Sequence, residues 1–143
     1  MVPSGAAFMR RPWPADNPDG VEAATFDGMA GAIRDDRAKF WTGFFADFYG
    51  VGYLSQPVSD EVIAWSRGLA MQASLKATLA CATAFATTDF RPDLAAFTVP
   101  TLIIHGTADT TVPIDTSARR AAAAIPGSTL LEYDGAPHGL LAS

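Results

Sequence analysis

Apolar residues recur along this chain in two different periods, and the change of period divides it. From Val21 onward the spacing is helical: Phe26, Met29 and Ile33 fall at i, i+3 and i+7, one face of a helix. The charged run Arg34-Asp35-Asp36-Arg37 interrupts that face and predicts a bend. Phe40, Trp41, Phe44, Phe45 and Phe48 then form a broad aromatic stripe on a second helix, which ends at a glycine within Tyr49-Gly50-Val51-Gly52-Tyr53. Such a stripe is either a helix face buried against a neighbour or part of the wall of an apolar pocket. Ser59 or Asp60 can cap a third helix carrying Val62, Ile63, Trp65, Ser66, Leu69 and Ala70. Gln72 to Phe85 is rich in Ala and Leu with no breaker and predicts a fourth. Thr87 to Phe97 reads as a connector with a helical turn at Pro92-Asp93-Leu94-Ala95-Ala96.

The period then changes. Val99-Pro100-Thr101-Leu102-Ile103-Ile104 has no polar alternation and reads as a short strand covered on both faces, as in a parallel sheet. Asp115-Thr116-Ser117 offers a cap for a helix through Arg119 to Ala124, which Pro126-Gly127 closes. Ser128-Thr129-Leu130-Leu131-Glu132-Tyr133 reads as a second strand. Helix and strand alternate only in this last third. The expected class is therefore α/β, with residues 20–86 all-helical and two parallel strands joined by a helix in the last third. The first twenty residues hold three prolines and an Asp-Gly within Arg11 to Gly20 and read as irregular. Trp13 there either pins the loop to a core or touches a ligand.

Composition narrows the function classes. The 143 residues suit one domain with a moderate core. A net charge of −5, with Arg10-Arg11 and Arg119-Arg120 the only paired cations, argues against a nucleic-acid footprint. One cysteine, Cys81, excludes an internal disulfide and a multi-cysteine metal site; its Ala, Leu and Thr neighbours suggest a buried small hydrophobe. Two histidines far apart do not make a metal-ligand spacing. No apolar run approaches the ~18–20 residues that span a bilayer, and no signal-peptide layout opens the chain, so a cytoplasmic protein without a membrane partner is expected.

The chemistry-bearing residues follow the two strands. The first strand leads through His105-Gly106 to Asp109, and the second through Gly135-Ala136-Pro137 to His138-Gly139. In open α/β sheets, ligands bind at the carboxyl ends of the strands. Neighbouring strands lie ~5 Å apart, and the 29 positions between Asp109 and His138 fit one βαβ crossover. Asp109 can therefore orient His138, holding one tautomer and stabilising the imidazolium that forms when it acts as base. Gly135 and Gly139 let the histidine loop bend sharply. Taken alone, an Asp after a strand is also a turn former, and a His between Pro and Gly an exposed loop residue. His105, at the strand end, is expected to bond locally.

Val99 to Gly106, Asp109 and Val112-Pro113 together resemble the segment after the seventh strand of α/β-hydrolases, and Gly135-Ala136-Pro137-His138-Gly139 resembles their histidine loop. Asn17-Pro18 with Gly20, Phe26-Asp27-Gly28, Asp36-Arg37, Phe48-Tyr49-Gly50 and Thr88-Asp89-Phe90 resemble the cap of the non-haem chloroperoxidase and arylesterase group. The resemblance implies that Asp109 is the acid, His138 the base and Val112 a residue lining the acyl pocket. It implies hydrolysis or perhydrolysis of a small-molecule ester, with a peracid formed in the second case, and requires no cofactor, metal or haem.

That family places its nucleophilic serine in a Gly-x-Ser-x-Gly elbow before the cap. No such motif occurs here; Ser4, in Pro3-Ser4-Gly5, falls where the family's sixth strand ends. Where this chain stops at Leu141-Ala142-Ser143, the family continues into a final helix. The resemblance thus implies a partial α/β-hydrolase fold: 1–88 as helical cap, 89–143 as the C-terminal part of the core, inactive without the nucleophile. Such a piece is expected to expose an apolar sheet edge. Two other readings stay open. One is a haloalkane dehalogenase or epoxide hydrolase with an aspartate in the missing elbow; the other is a non-catalytic binding module. Oligomeric state is not legible.

Overall fold

The computed structural model describes residues 20–140 and Ala142. Ser4, Trp13 and the proline-rich stretch around it lie outside the described residues. The helical region consists of α1 (Ala23–Asp35), α2 (Arg37–Phe48), α3 (Asp60–Gln72) and α4 (Leu75–Thr87). A short α5 (Arg91–Leu94) leads to β1 (Leu102–Gly106), α6 (Ala118–Ala124) and β2 (Thr129–Tyr133).

Polar residues set the helix boundaries. Asp36, in an extended conformation, ends α1 through its N–H to the Ala32 carbonyl and caps α2 by accepting the Lys39 N–H at 2.9 Å. The charged run is thus a bend, as its sequence predicts. Ser59 caps α3, and Ser74 caps α4 by accepting the Ala77 N–H at 3.1 Å. The fourth helix begins at Leu75, later than the expected Gln72, because α3 runs to Gln72 and ends at Ala73, and Ser74 caps a new helix across a bend of 97°. Arg37 reaches the carbonyls of Ala73 (2.6 Å) and Met71 (3.3 Å), which the end of α3 leaves without intrahelical partners. In this way α2 is fastened to α3, while α1 packs on α4 with Phe26 edge-on to Phe85.

Cys81 is exposed, not buried as its neighbours suggested. None of the α4 residues is buried, because α1 covers only one side of that helix. The aromatic stripe of α2 is half-buried throughout, and its rings pack chiefly on one another, Trp41 stacking on Phe45 at 5.7 Å. Among the described residues no single helix is long and apolar enough to cross a membrane.

β1 and β2 pair in parallel, Leu102 opposite Thr129 and Gly106 opposite Tyr133, with α6 as the crossover. Side chains alternate between the faces of the pair. Ile103 points toward α6 and joins Leu94, Ile114, Ala118, Ala121 and Ile125 in the core, with Leu130 packed against it. Ala118 and Ala121, wholly buried, let α6 lie close to the sheet. Ser117 stands at the N-cap of α6 without a capping side-chain bond; a 3-10 turn at Ile114–Thr116 precedes it, and the Ser117 hydroxyl donates instead to the Pro113 carbonyl at 2.7 Å.

The opposite face of the sheet is open. Leu102 is 59% and Ile104 40% exposed, with Leu131 and Tyr133 half-exposed beside them. The expectation of a strand covered on both faces therefore fails: among the described residues, helix lies on one face of this sheet only.

A Cβ at Gly106 would run into the backbone of Ala136 and Pro137, which cannot step aside as a side chain can. Gly106→Ala is therefore expected to cost about 1–3 kcal/mol of stability, typical of overpacking. Gly28→Ala in α1 meets open space and should gain about 0.5–1 kcal/mol, as alanine does over glycine inside a helix. Urea unfolding midpoints of the two variants check both signs.

Candidate active site

Two loops leave the carboxyl ends of β1 and β2 and are laced together. The Thr107 N–H donates to the Tyr133 carbonyl (2.9 Å) and the Ala108 N–H to the Ala136 carbonyl (3.1 Å). The Thr107 hydroxyl donates to Asp134 (3.1 Å) and accepts the Gly135 N–H (2.8 Å). Gly135 turns the second loop with φ +68°, a conformation that favours glycine. The missing Cβ at Gly106 lets the Ala136 carbonyl approach. Each contact shortens the distance between Asp109 and His138.

Those two side chains meet. His138 Nδ1 lies 2.6 Å from Asp109 Oδ2. An ionised carboxylate only accepts, so Nδ1 carries the proton and donates it. The lone pair of Nε2, across the ring, is then available as a base. The carboxylate side chain is 2% exposed and the imidazole 31%, so the carboxylate is sealed while the imidazole remains reachable.

Asp109 has two further partners. Its Oδ1 accepts the Val112 N–H at 2.7 Å. Its Oδ2 also lies 3.0 Å from Nε2 of His105, whose residue is 6% exposed. Burial pushes the Asp109 carboxyl upward, but the hydrogen bonds from His105, His138 and the Val112 N–H outweigh it and hold the group well below the usual carboxylate range. The hydrogen bond to Asp109 raises His105 above the ordinary imidazole value, against burial, and the Val112 carbonyl at 2.8 Å adds to it.

The α2 end grips the histidine from the other side. The Phe48 ring stands edge-on to His138 at 4.8 Å between centroids, and the Phe48 carbonyl accepts the Gly139 N–H at 2.8 Å. A side chain at Gly139 would collide with the Tyr49 ring, and the Tyr49 hydroxyl is itself bonded to Ser66 of α3 at 2.8 Å. Gly50, with φ +69°, sits against Pro137. The last ring of the aromatic stripe therefore reaches the candidate base, while the others pack within the helical region.

Asp109 and His138 are brought together as their spacing suggested. Val112 joins them through its main chain, its residue buried. His105 does bond locally, as expected, but one of its partners is the candidate acid, which the sequence reading missed. The His-x-x-x-Asp spacing across a glycine turn was the available signal. A cleft of about 340 Å³ lies alongside, touched by Ala108, Thr110, Gly135 and Pro137 but by neither Asp109 nor His138. Among the described residues no group of His, Cys, Asp or Glu side chains is arranged so that it could hold a metal ion.

No family model matches the chain. Over 126 residues it is 43% identical to a Synechocystis protein that bears the name of a non-heme chloroperoxidase, covering 87% of this chain and 45% of that protein. It is 34% identical to a bifunctional esterase/perhydrolase of Acinetobacter calcoaceticus, covering 87% and 45% respectively. The crystal structure of a bromoperoxidase from Bacillus anthracis superposes with a TM-score of 0.87 at 37% identity, over 95% of this chain and 49% of that one. The chain thus spans about half the length of the curated relatives it matches.

The pKa directions fix how stability depends on pH. Asp109 is depressed in the folded state, so its contribution is present above the unfolded value of about 3.9 and is lost as pH falls toward the lowered one. His105 is raised, so its contribution is full below about 6.5 and is lost as pH rises through its folded value. The urea midpoint should therefore peak between these limits. In Asp109→Asn both flanks should flatten, because one contact shifts both groups; unchanged flanks would contradict the assignment.

Proposed function

We propose, for a chain that carries part of the α/β-hydrolase fold and belongs with the non-haem chloroperoxidases, that Asp109 and His138 are the acid and base of an acyl-transfer triad. The nucleophile lies outside this polypeptide. The supporting observation is the 2.6 Å contact between His138 Nδ1 and Asp109 Oδ2 at the ends of adjacent parallel strands.

In the complete enzyme, Nε2 of His138 removes the proton from a serine hydroxyl as that oxygen attacks an ester carbonyl. The same imidazole then gives the proton to the departing alcohol. Water, deprotonated in turn by His138, cleaves the acyl-enzyme to an acid. With hydrogen peroxide in place of water the product is a peracid, which can oxidise halide in a later step. Asp109 keeps Nδ1 protonated and balances the imidazolium throughout. Val112 we assign to the acyl side of the substrate space. Residues 1–88 we read as the cap and 89–143 as the C-terminal part of the core.

The chain by itself is then inert. A fluorophosphonate probe should leave all its serines unlabelled, and stoichiometric labelling would overturn this reading. Substituting this chain for the 126 matching residues of the Synechocystis relative supplies the missing half. That chimera should hydrolyse an aryl ester. Asp109→Asn in it should lower kcat by about 10,000-fold, the loss seen when the acid of a triad no longer holds the correct tautomer. His138→Ala retaining the parent rate would remove the base assignment.

A further inference from the structure

We propose that His105 is a positioning residue: it donates one hydrogen bond shared between Val112 and Asp109, and so fixes the carboxylate oxygen that His138 uses. The proposal rests on the acid–base reading of Asp109 and His138.

The geometry settles where the His105 proton sits. Nε2 of His105 lies 2.8 Å from the Val112 carbonyl oxygen, which can only accept. Nε2 must therefore carry hydrogen. The same nitrogen is 3.0 Å from Asp109 Oδ2, also an acceptor, so the N–H is shared between the two. Val112 in turn donates its own N–H to Asp109 Oδ1. His105, Val112 and Asp109 thus close a ring of contacts in which both carboxylate oxygens are held, Oδ1 by the main chain and Oδ2 by His105.

Oδ2 is the atom that accepts from His138. Two imidazoles converge on it, their rings nearly perpendicular at 83° and 6.5 Å apart. A carboxylate held only through Oδ1 can still rotate about its Cβ–Cγ bond and carry Oδ2 out of line with Nδ1 of His138. The bond from His105 removes that freedom. His105 is anchored for this role by β1, where it lies opposite Glu132 in the register, and Glu132 is itself held by Arg119 of α6 at 2.7 Å.

Nitrogen-15 NMR of both imidazoles in the intact 143-residue chain tests the proposal. In the unaltered protein His105 should be protonated at Nε2, and His138 at Nδ1 with a strongly downfield proton. His105→Phe should lose that downfield His138 signal and shift His138 toward the Nε2–H tautomer. His105→Gln, whose amide nitrogen can occupy the Nε2 position, should restore it. Ile103→Val, a core change on the same strand, should lower stability and leave the signal in place. An unchanged His138 signal in a folded His105→Phe chain would overturn the proposal while sparing the acid–base pair. So would His105 protonated only at Nδ1 in the unaltered protein, a reading that needs no variant to fold. If His138 itself lacks the Nδ1 proton, the acid–base reading falls, and the role of His105 falls with it.

Discussion

The parallel pairing of β1 with β2 is the constraint on which the site depends. Parallel strands leave a sheet in the same direction, so the loops that follow them emerge at one edge. Here those loops carry a carboxylate and an imidazole, and the register places Gly106 opposite Tyr133 where they begin. The pair is held by the covered face: Ile103 and Leu130 pack under α6, whose buried alanines admit close approach. Had the strands run antiparallel, the same residues would stand at opposite ends of the sheet.

The carboxylate and the imidazole are held in different ways. Every partner that shapes Asp109, apart from His138 itself, lies within four residues of it in sequence: His105, Gly106 and Val112. Its geometry is a local turn, capped at both oxygens. His138 depends instead on contacts distant in sequence, with Asp109 on one side and Phe48, from the end of α2, on the other. The helical region therefore reaches the imidazole through the histidine loop. Tyr49, bonded to Ser66, ties that grip to α3 as well.

This division explains what could be read from residues alone. The helices, the bend at Asp36 and the βαβ unit follow from periodicity and capping, which are local. Asp109 and His138 were legible because each follows a strand and their separation matches one crossover. The shared N–H of His105 was half-legible, since its spacing to Asp109 is short but its hydrogen-bond direction depends on the turn between them. The Phe48 contact was not legible: nothing in a helical stripe says which ring will meet a loop ninety residues later. Cys81 and the outer face of β1 were misread for one reason. Burial is a property of neighbours, and a helix or strand with a covering layer on one side has the same local pattern as one covered on both.

The open face of the sheet bears on the chemistry as well as on packing. Leu102, Ile104, Leu131 and Tyr133 form an apolar surface directly beneath the edge where the two loops emerge. Covering it would lower the local dielectric around the loops, strengthening the Asp109–His138 bond and every other polar contact there. The pair is already assembled without that cover, because its acid is sealed by its own turn. What a second layer would add is the exclusion of water from the carboxyl edge where the two loops emerge. The contact between imidazole and carboxylate thus takes its geometry from the two loops and the turn at Asp109, with the open face contributing nothing to it.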